Sequence, residues 1–293
     1  MKFLITGANG QLGNELIETI KKDNKHSVIG YGKQQLDITD SNRLKEVLQL
    51  EKPDCIINTA AFTNMDLCEK EQELAILSNG LGPYNLAAEA KKRGIKLFHI
   101  SSGYVYSGEK FPPYFEEDPT DPKTIFGKSK KLGEELALQE NKEITIIRTS
   151  WLFGHFGENF VKSTYDLSLS SKEIFAVNDQ YGCPTYAKDL AFALLKLLQH
   201  PPGIYHVVNS GSCTWFEFAE EIIRIIGADT KVIPISSEQY GFKTRRPKYT
   251  LLSLEKIRKK GILMRHWREA LQDYAKREFD DKDKQNERKK ASV

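Results

Sequence analysis

The stretch TGANGQLG, residues 6–13, decides the fold of this chain. It follows the apolar run KFLIT and precedes NELIETIKKD, in which apolar residues recur at helical spacing. Gly7, Gly10 and Gly13 follow a G-x-x-G-x-x-G spacing. Glycine permits a sharp turn and a close approach to a pyrophosphate, which the free N–H groups of a helix N-terminus bind. The motif lies between the first predicted strand and the first predicted helix of a chain in which strands and helices alternate. This position predicts a dinucleotide-binding site, and a plain strand-to-helix turn is the alternative.

Short apolar runs alternate with helix-length segments from Met1 to about Arg148. Runs this short, separated by segments with helical periodicity, are typical of parallel strands that helices cover on both faces. Gly94 stands where one helix is expected to end. The strand runs are KFLIT, SVIGY, DCIINTA, KLFHIS and ITIIRTS. The pattern predicts an α/β protein with a Rossmann-type, doubly wound parallel sheet, which binds ligands at the carboxyl ends of its strands.

The alternation becomes irregular beyond about residue 151. We expect an NAD(P)-binding Rossmann domain over 1–150 and a smaller α/β C-terminal substrate lobe over 151–278, interspersed with the first. Residues 279–293 carry almost no apolar side chains after Phe279, which predicts a disordered, charged tail.

Composition excludes several classes of protein. The 43 Lys and Arg residues nearly balance the 40 Asp and Glu residues, which argues against nucleic acid or an anionic membrane as the main partner. The four cysteines are far apart and lack C-x-x-C spacing, so we expect reduced thiols in a cytoplasmic protein and no zinc site. No apolar run approaches the roughly 20 residues of a membrane span.

The choice of cofactor is usually made at the end of the second strand, where an acidic residue binds the ribose 2′-hydroxyl of NAD. This chain has GYGKQQ there, with no acid and with Lys33 available to a 2′-phosphate, which favours NADPH over NADH. Asp37 follows in LDITD. On spacing alone, a cofactor contact and the alternative, that Asp37 merely starts a turn or caps the next helix, are about equally supported.

Nine motifs, in order, resemble the dTDP-4-dehydrorhamnose reductase family (RmlD-like), which belongs to the extended short-chain dehydrogenase/reductase superfamily. The resemblance extends from Met1 to about Tyr274 and includes motifs of the second lobe that the superfamily does not share. The motifs are LITGANGQLG, LDITD, INTAAFTNMDLCEKE, NGLGPYNLA, HISSGYVYSG, GKSKKLGEE, IIRTSWLFG, NDQYGCPTYAKDLA and GIYHVVNSG.

The resemblance implies an NAD(P)H-dependent reduction of the 4-keto group of a 6-deoxy nucleotide sugar, with dTDP-L-rhamnose as the product. The family's cofactor positions fall on Gly10, Gln11 and Leu12 at the pyrophosphate, Asp37 and Ile38 near the adenosine, and Ala61, Phe62 and Thr63 after a later strand. Its substrate positions fall on Ser102, Gly103, Tyr104 and Trp151. A half-buried aromatic between the lobes is the alternative for Trp151.

Carbonyl reduction requires a group that stabilises the oxygen and protonates it. In the superfamily a Tyr donates the proton, a Lys four residues later lowers the pKa of that Tyr and holds the nicotinamide ribose, and a Ser or Thr binds the carbonyl. Lys130 and Ser102 match the last two roles, but the Tyr position is Phe126, in TIFGKSK. Losing a general acid typically costs roughly 100- to 10,000-fold in rate.

A second departure lies beside the first, because Gly103 stands where the family usually has Asp. One hypothesis is that Gly103 opens space for another 4-keto sugar nucleotide. Tyr104 and Tyr106 are expected at the mouth of the same site. Tyr104 is interpreted as positioning the substrate rather than as a relocated acid, and water held by Ser102 and Lys130 is a further source of the proton.

Other polar residues are weaker candidates. Lys128 and Ser129 are expected to lie on the exposed face of the helix. Arg245 and Arg246, in TRRPK, are as consistent with a diphosphate site as with an ordinary surface. The six histidines show no metal spacing.

Two function classes remain open. The first is the reductase, and the second is a non-catalytic, dinucleotide-binding regulatory subunit like that of methionine adenosyltransferase, which resembles this family and would require a partner enzyme. The sequence does not define the oligomeric state, and a homodimer is consistent with it.

Overall fold

The computed structural model describes residues 1–110 and 113–279. The strands are β1 Lys2–Thr6, β2 Ser27–Tyr31, β3 Cys55–Asn58, β4 Lys96–Ser102, β5 Ile144–Thr149, β6 Leu152–Phe153, β7 Glu173–Val177, β8 Tyr181–Gly182, β9 Thr185–Tyr186, β10 Gly203–His206, β11 Cys213–Thr214, β12 Lys231–Ile235 and β13 Tyr249–Thr250.

The helices include a π-helical turn, Leu77–Leu81, and a 3₁₀ turn, Gly103–Val105. The α-helices are α1 Gln11–Lys22, α2 Ser41–Glu51, α3 Met65–Lys70, α4 Gln72–Ile76, α5 Gly82–Arg93, α6 Ile125–Glu140, α7 Phe160–Ser170, α8 Ala187–Leu197, α9 Trp215–Ile226, α10 Ser237–Tyr240, α11 Glu255–Lys259 and α12 Trp267–Glu278.

The main sheet is parallel and has the order β10-β5-β4-β3-β1-β2. Its first five strands in sequence are the five that the apolar runs predict, so the α/β, doubly wound prediction is confirmed. The order reverses between β1 and β3. The carboxyl ends of these two strands therefore open a crevice of the kind that binds ligands in this fold.

The helical segment that ends at Gly94 is divided. A π-helical turn separates α4 from α5, and Pro83 stands in the first turn of α5. Proline has no N–H to donate to the carbonyl of Asn79 four residues earlier. Gly133 of α6 packs closely against that carbonyl, since a Cβ on Gly133 would lie 2.0 Å from it. The predicted end at Gly94 is confirmed, with φ of 65°.

The second half of the chain contributes to both lobes. Strand β10 pairs with β5 in the main sheet, and α8 packs against α1. A separate core gathers aromatic side chains of α7, α9 and α12, including Phe218, Trp267 and Tyr274. Phe279 is buried in this core and stacks on Tyr165, so it does not belong to a solvated tail. The rest of the predicted tail lies outside the described residues.

Candidate active site

The glycine-rich loop connects β1 to α1 as the sequence predicts. Gly7 has φ of 67°, and a Cβ there would lie 2.6 Å from the backbone nitrogen of Ala60. Gly10 caps α1 without a side-chain hydrogen bond to the first turn. The loop therefore presents backbone N–H groups at a positive helix end, and only glycine permits its approach to the end of β3.

A cavity of about 270 Å³ opens above this loop. Gly7, Gly10, Asp37, Ile38, Ala61 and Phe62 all line it, so six of the predicted cofactor residues meet at one place. Asn9, Gly32, Lys33, Leu36, Thr59, Ala60 and Ser78 complete the lining.

Four other predicted cofactor residues lie away from this cavity. The Gln11 side chain donates to the carbonyl of Leu152 at 3.1 Å and accepts from Asn159. Leu12 is buried in the core beside the sheet, Gly13 packs against the Gly7 carbonyl, and Thr63 is exposed. Gln11 thus connects the glycine-rich loop to the second half of the chain.

The Asp37 side chain forms a local turn. Its Oδ1 accepts from the N–H of Thr39 at 2.9 Å and from the Thr39 hydroxyl. The cap of α2 is Asp40, which accepts from Asn42 and Arg43. Asp37 therefore starts a turn and does not cap α2, and because it also lines the glycine-loop cavity its cofactor role stays a prediction.

A second cavity, of about 440 Å³, lies between the main sheet and the second lobe. Tyr104 and Met65 line it on the sheet side. Phe160, Trp215, Tyr240 and Phe242 line it on the other. A larger cavity of about 660 Å³ adjoins it, because Gln180, Phe242 and Arg246 line both. Arg245, Lys123 and Lys248 add positive charge to this larger cavity.

Phe126 lies between the first two cavities. Its buried ring packs in one cluster with Phe62, which lines the glycine-loop cavity, and with Tyr104 and Met65, which line the second. The Tyr104 and Phe126 rings meet edge to face, with centroids 5.8 Å apart. Because position 126 of α6 is Phe and not Tyr, its ring carries no hydroxyl between the two cavities.

Lys130 lies one helical turn after Phe126 and is almost completely buried. Its Nζ donates to the carbonyl of Ile100 at 2.6 Å. Burial lowers the pKa of Lys130 to about 8, although Glu134 opposes the shift. The amine is therefore held near the end of β4 with a pKa close to neutrality.

Ser102 ends β4, and its Oγ accepts from the N–H of Tyr104 at 3.2 Å. Ser102 is half-buried, and a hydroxyl that accepts one hydrogen bond keeps its own proton available to donate. Burial raises the pKa of Tyr104, and the nearby Arg246 partly offsets this.

Two expectations about neighbouring residues are wrong. Tyr106 is completely buried, because its hydroxyl bonds Arg148, His206 and a carbonyl, so it is not at the mouth. Ser129 is buried rather than exposed, since its hydroxyl donates to the Phe126 carbonyl and accepts from Asn79. Lys128 is exposed, as expected.

Gly103 does not open space for a substrate. It is buried, and Leu252 lies 3.4 Å from the position of a Cβ there. The hypothesis of a widened sugar site at this position is therefore wrong. An apolar side chain instead occupies the volume next to Gly103.

Trp151 is half-buried and stacks on Trp215, with ring centroids 3.5 Å apart. Its φ of 46° is unusual for a bulky residue. Gly182 makes room for the indole, since a Cβ there would lie 2.2 Å from it. Trp215, rather than Trp151, lines the cavity, so Trp151 supports the cavity wall from behind.

Sequence reasoning missed a buried ionic network beneath the site. Glu134 of α6 receives hydrogen bonds from Arg148, of 2.6 Å at the shortest, and from Ser101. Arg148 also donates to the Tyr106 hydroxyl at 2.6 Å. Two features of the sequence could have indicated it: Glu134 follows Lys130 at helical spacing, and Arg148 interrupts an apolar strand.

The part of the chain that the structure describes contains no cluster of His, Cys, Asp and Glu that could hold a metal ion. Its four cysteines are free and buried. Among the helices of the described ranges, none is long and apolar enough to cross a membrane.

Comparisons with known proteins point in one direction. Residues 1–279 match the family model described as RmlD substrate binding domain. The spore coat polysaccharide biosynthesis protein SpsK of Bacillus subtilis (strain 168) is 49% identical over 93% of this chain and 96% of its own.

Two solved structures have the same architecture. A dTDP-4-dehydrorhamnose reductase from Clostridium acetobutylicum has a TM-score of 0.91 and 39% identity, covering 94% of this chain and 98% of its own. The corresponding reductase of Bacillus anthracis, in complex with NADP, has a TM-score of 0.89 and 38% identity over 93% and 98%.

Proposed function

The chain belongs to the family of the RmlD substrate binding domain, and from this premise we propose that it is an NAD(P)H-dependent reductase of a 4-keto-6-deoxy nucleotide sugar. The observation that carries the proposal is the position of Phe126 and Lys130. Phe126 packs with residues that line the glycine-loop cavity and the second cavity, and Lys130 lies one helical turn after it in α6. A hydride donor in one cavity and a ketone in the other would meet at this junction.

The residues of the glycine-loop cavity fit a dinucleotide. Gly7 and Gly10 would hold the pyrophosphate at the start of α1, where a side chain on Gly7 would collide with β3. Phe62 would border the nicotinamide end. When bound, the reduced nicotinamide supplies the hydride, as in the family.

The chain's own groups supply the remaining chemistry. The Lys130 ammonium, fixed by the Ile100 carbonyl, places positive charge next to the developing alkoxide. Ser102 would donate a hydrogen bond to the carbonyl oxygen, since its Oγ already accepts from the Tyr104 N–H.

The larger cavity supports a diphosphate-linked substrate. Arg246 lines both cavities, and Arg245 and Lys248 line the larger one. The carboxylates of Glu109, Asp179 and Glu238 also line the larger cavity. Guanidinium groups pair well with phosphate oxygens. With dTDP-4-dehydrorhamnose reductases among the similar proteins, we propose dTDP-4-dehydro-L-rhamnose as the substrate and polysaccharide synthesis as the destination of the product.

The proposal is tested by NADPH oxidation with dTDP-4-dehydro-L-rhamnose. We expect steady turnover by the purified protein and formation of dTDP-L-rhamnose. Lys130→Met is the negative control, and Lys128→Met, on the exposed face of the same helix, is the matched positive control. Turnover no higher than that of Lys130→Met would contradict the proposal, and a panel of other keto sugars would then define the substrate.

Cofactor preference follows from Lys33 at the rim of the glycine-loop cavity. We expect Lys33→Ala to reduce the preference for NADPH over NADH by about tenfold, because a hydrogen bond to a charged group contributes roughly 1.5–3 kcal/mol. Dissociation constants of both cofactors, measured by fluorescence titration, check this. Lys45→Ala, an exposed lysine of α2, is the control. An unchanged ratio would mean that Lys33 does not contact a 2′-phosphate.

The absence of a hydroxyl at Phe126 favours a second candidate, the dinucleotide-binding regulatory subunit. It predicts cofactor binding without turnover and co-purification with a partner enzyme. Reductase activity of the purified protein alone would exclude it.

A further inference from the structure

Tyr104 is built into the junction between the two cavities. The Tyr104 N–H donates to Ser102, and the Tyr106 N–H donates to the Gly103 carbonyl, which closes the 3₁₀ turn. Gly127 of α6 lies directly against this turn, since a Cβ on Gly127 would be 2.2 Å from the Tyr104 carbonyl oxygen. The backbone that carries Tyr104 is therefore held firmly against the helix that carries Phe126.

The Tyr104 side chain points into the second cavity rather than into the core. Its ring covers the edge of the Phe126 ring, with centroids 5.8 Å apart. The phenol forms no hydrogen bond with any of residues 1–110 and 113–279, and the Tyr104 side chain is only half-buried. A hydroxyl held in place without a partner is available to a ligand in the cavity.

Other acids near the junction are less suitable. The Tyr106 phenol is buried beneath the sheet and bonded to Arg148. Tyr240 also lines the second cavity, but it is exposed at the rim and stacks on Phe242. The Cys68 thiol is buried and donates to a carbonyl. Among the described tyrosines, Tyr104 alone combines contact with Phe126, a place in the cavity and an unpaired hydroxyl.

We propose that Tyr104 is the general acid of this enzyme, replacing the hydroxyl that Phe126 lacks. This inference rests on the proposed reductase function. As the ketone carbon gains the hydride, the π electron pair of the C=O bond moves to oxygen, and a new O–H bond forms with the proton of Tyr104 Oη. The ketone is reduced and the dihydronicotinamide is oxidised. The phenolate left on Tyr104 then regains a proton from water through the open second cavity.

The position of Arg246 fits this role. It lines the same cavity, and its positive charge favours the Tyr104 phenolate that remains after proton transfer. An ion pair with Asp66 of α3, at 3.4 Å, fixes Arg246 on this side of the cavity. Arg246, which would bind the diphosphate of the substrate, would thus also stabilise the phenolate of Tyr104.

The test compares Tyr104→Phe, Phe126→Tyr and the double variant. We expect Tyr104→Phe to lower kcat by about 10²- to 10⁴-fold, the usual contribution of a general acid, with KM changed by less than about threefold. Isothermal titration calorimetry should give an unchanged Kd for dTDP-L-rhamnose, since the ring remains. The double variant carries a phenol at position 126, and its kcat should be at least about tenfold higher than that of Tyr104→Phe. Tyr84→Phe, in α5 and outside both cavities, is the matched control.

Three results would overturn the inference. A raised KM and Kd with unchanged kcat would make Tyr104 a substrate-positioning residue only. Loss of kcat without recovery in the double variant would indicate a structural role for the hydroxyl. An active wild-type protein with an equally active Tyr104→Phe variant would reject this inference alone, whereas a wild-type protein that binds cofactor and product without turnover would reject the proposed function as well.

Discussion

Glu134→Gln is expected to lower the free energy of unfolding by about 3–5 kcal/mol, the usual cost of removing one partner of a buried ion pair. Glu134 and Arg148 are both almost completely buried, and Arg148 Nη2 lies 2.6 Å from Glu134 Oε2. The substitution keeps the shape of the side chain but leaves the guanidinium charge without compensation.

Urea unfolding followed by circular dichroism measures this change. Glu135→Gln is the matched control, since Glu135 is the exposed neighbour and forms a surface ion pair with Lys131 at 3.5 Å. The double variant Glu134→Leu/Arg148→Met should lose less stability than the sum of its two single changes, because it removes both charges together. A loss below about 1 kcal/mol for Glu134→Gln would mean that water reaches the pair and screens it.

Lys130→Met is expected to change the pH dependence of stability as well as the activity. Burial lowers the pKa of Lys130 from 10.5 to about 8 in the folded protein. Between these values the unfolded chain binds a proton that the folded chain does not, so the stability of the wild type rises with pH. The wild type should therefore gain about 3 kcal/mol relative to Lys130→Met from pH 8 to 10.5, at 1.36 kcal/mol per pKa unit.

This prediction is checked by urea unfolding of both proteins at several pH values from 7 to 10.5. Other titrating groups are common to the two proteins and cancel in the difference. Lys128→Met is the control, because Lys128 is exposed and should show no such slope. A constant difference between wild type and Lys130→Met across this range would show that Lys130 is not desolvated in the folded state.

Lys130→Met should also lower kcat/KM by roughly 10²- to 10⁴-fold with the keto sugar, because the charge next to the developing alkoxide is lost. Measuring both activity and stability of Lys130→Met separates a catalytic effect from a folding defect. The substitution removes a buried charge that opposes folding below pH 8, so it should not destabilise the protein there. An inactive variant that is at least as stable as the wild type at pH 7 would indicate a residue retained for chemistry.

The sequence by itself determined the fold and the outline of the cofactor site. Gly7, Gly10 and the runs of apolar residues act locally, because backbone freedom and strand burial depend on a few neighbouring positions. The family resemblance aligned Phe126 and Lys130 with the Tyr and Lys positions of the family motif. Four consecutive residues, GKSK at 127–130, are enough to define this alignment. The roles of the predicted site residues stay predictions until variants are measured.

Only the tertiary structure decided which side chains share a cavity. Tyr104 and Tyr106 are two residues apart, yet one lines the second cavity and the other is bonded to Arg148 beneath the sheet. Trp151 carries the family position, but Trp215, 64 positions further along the sequence, presents its ring to the cavity. Such assignments depend on distant segments that pack together, such as Gly127 against Tyr104 and Leu252 against Gly103. No local sequence pattern encodes these contacts. The interior is closely packed, so each space is filled by a segment that is distant in sequence and that only the complete fold brings there.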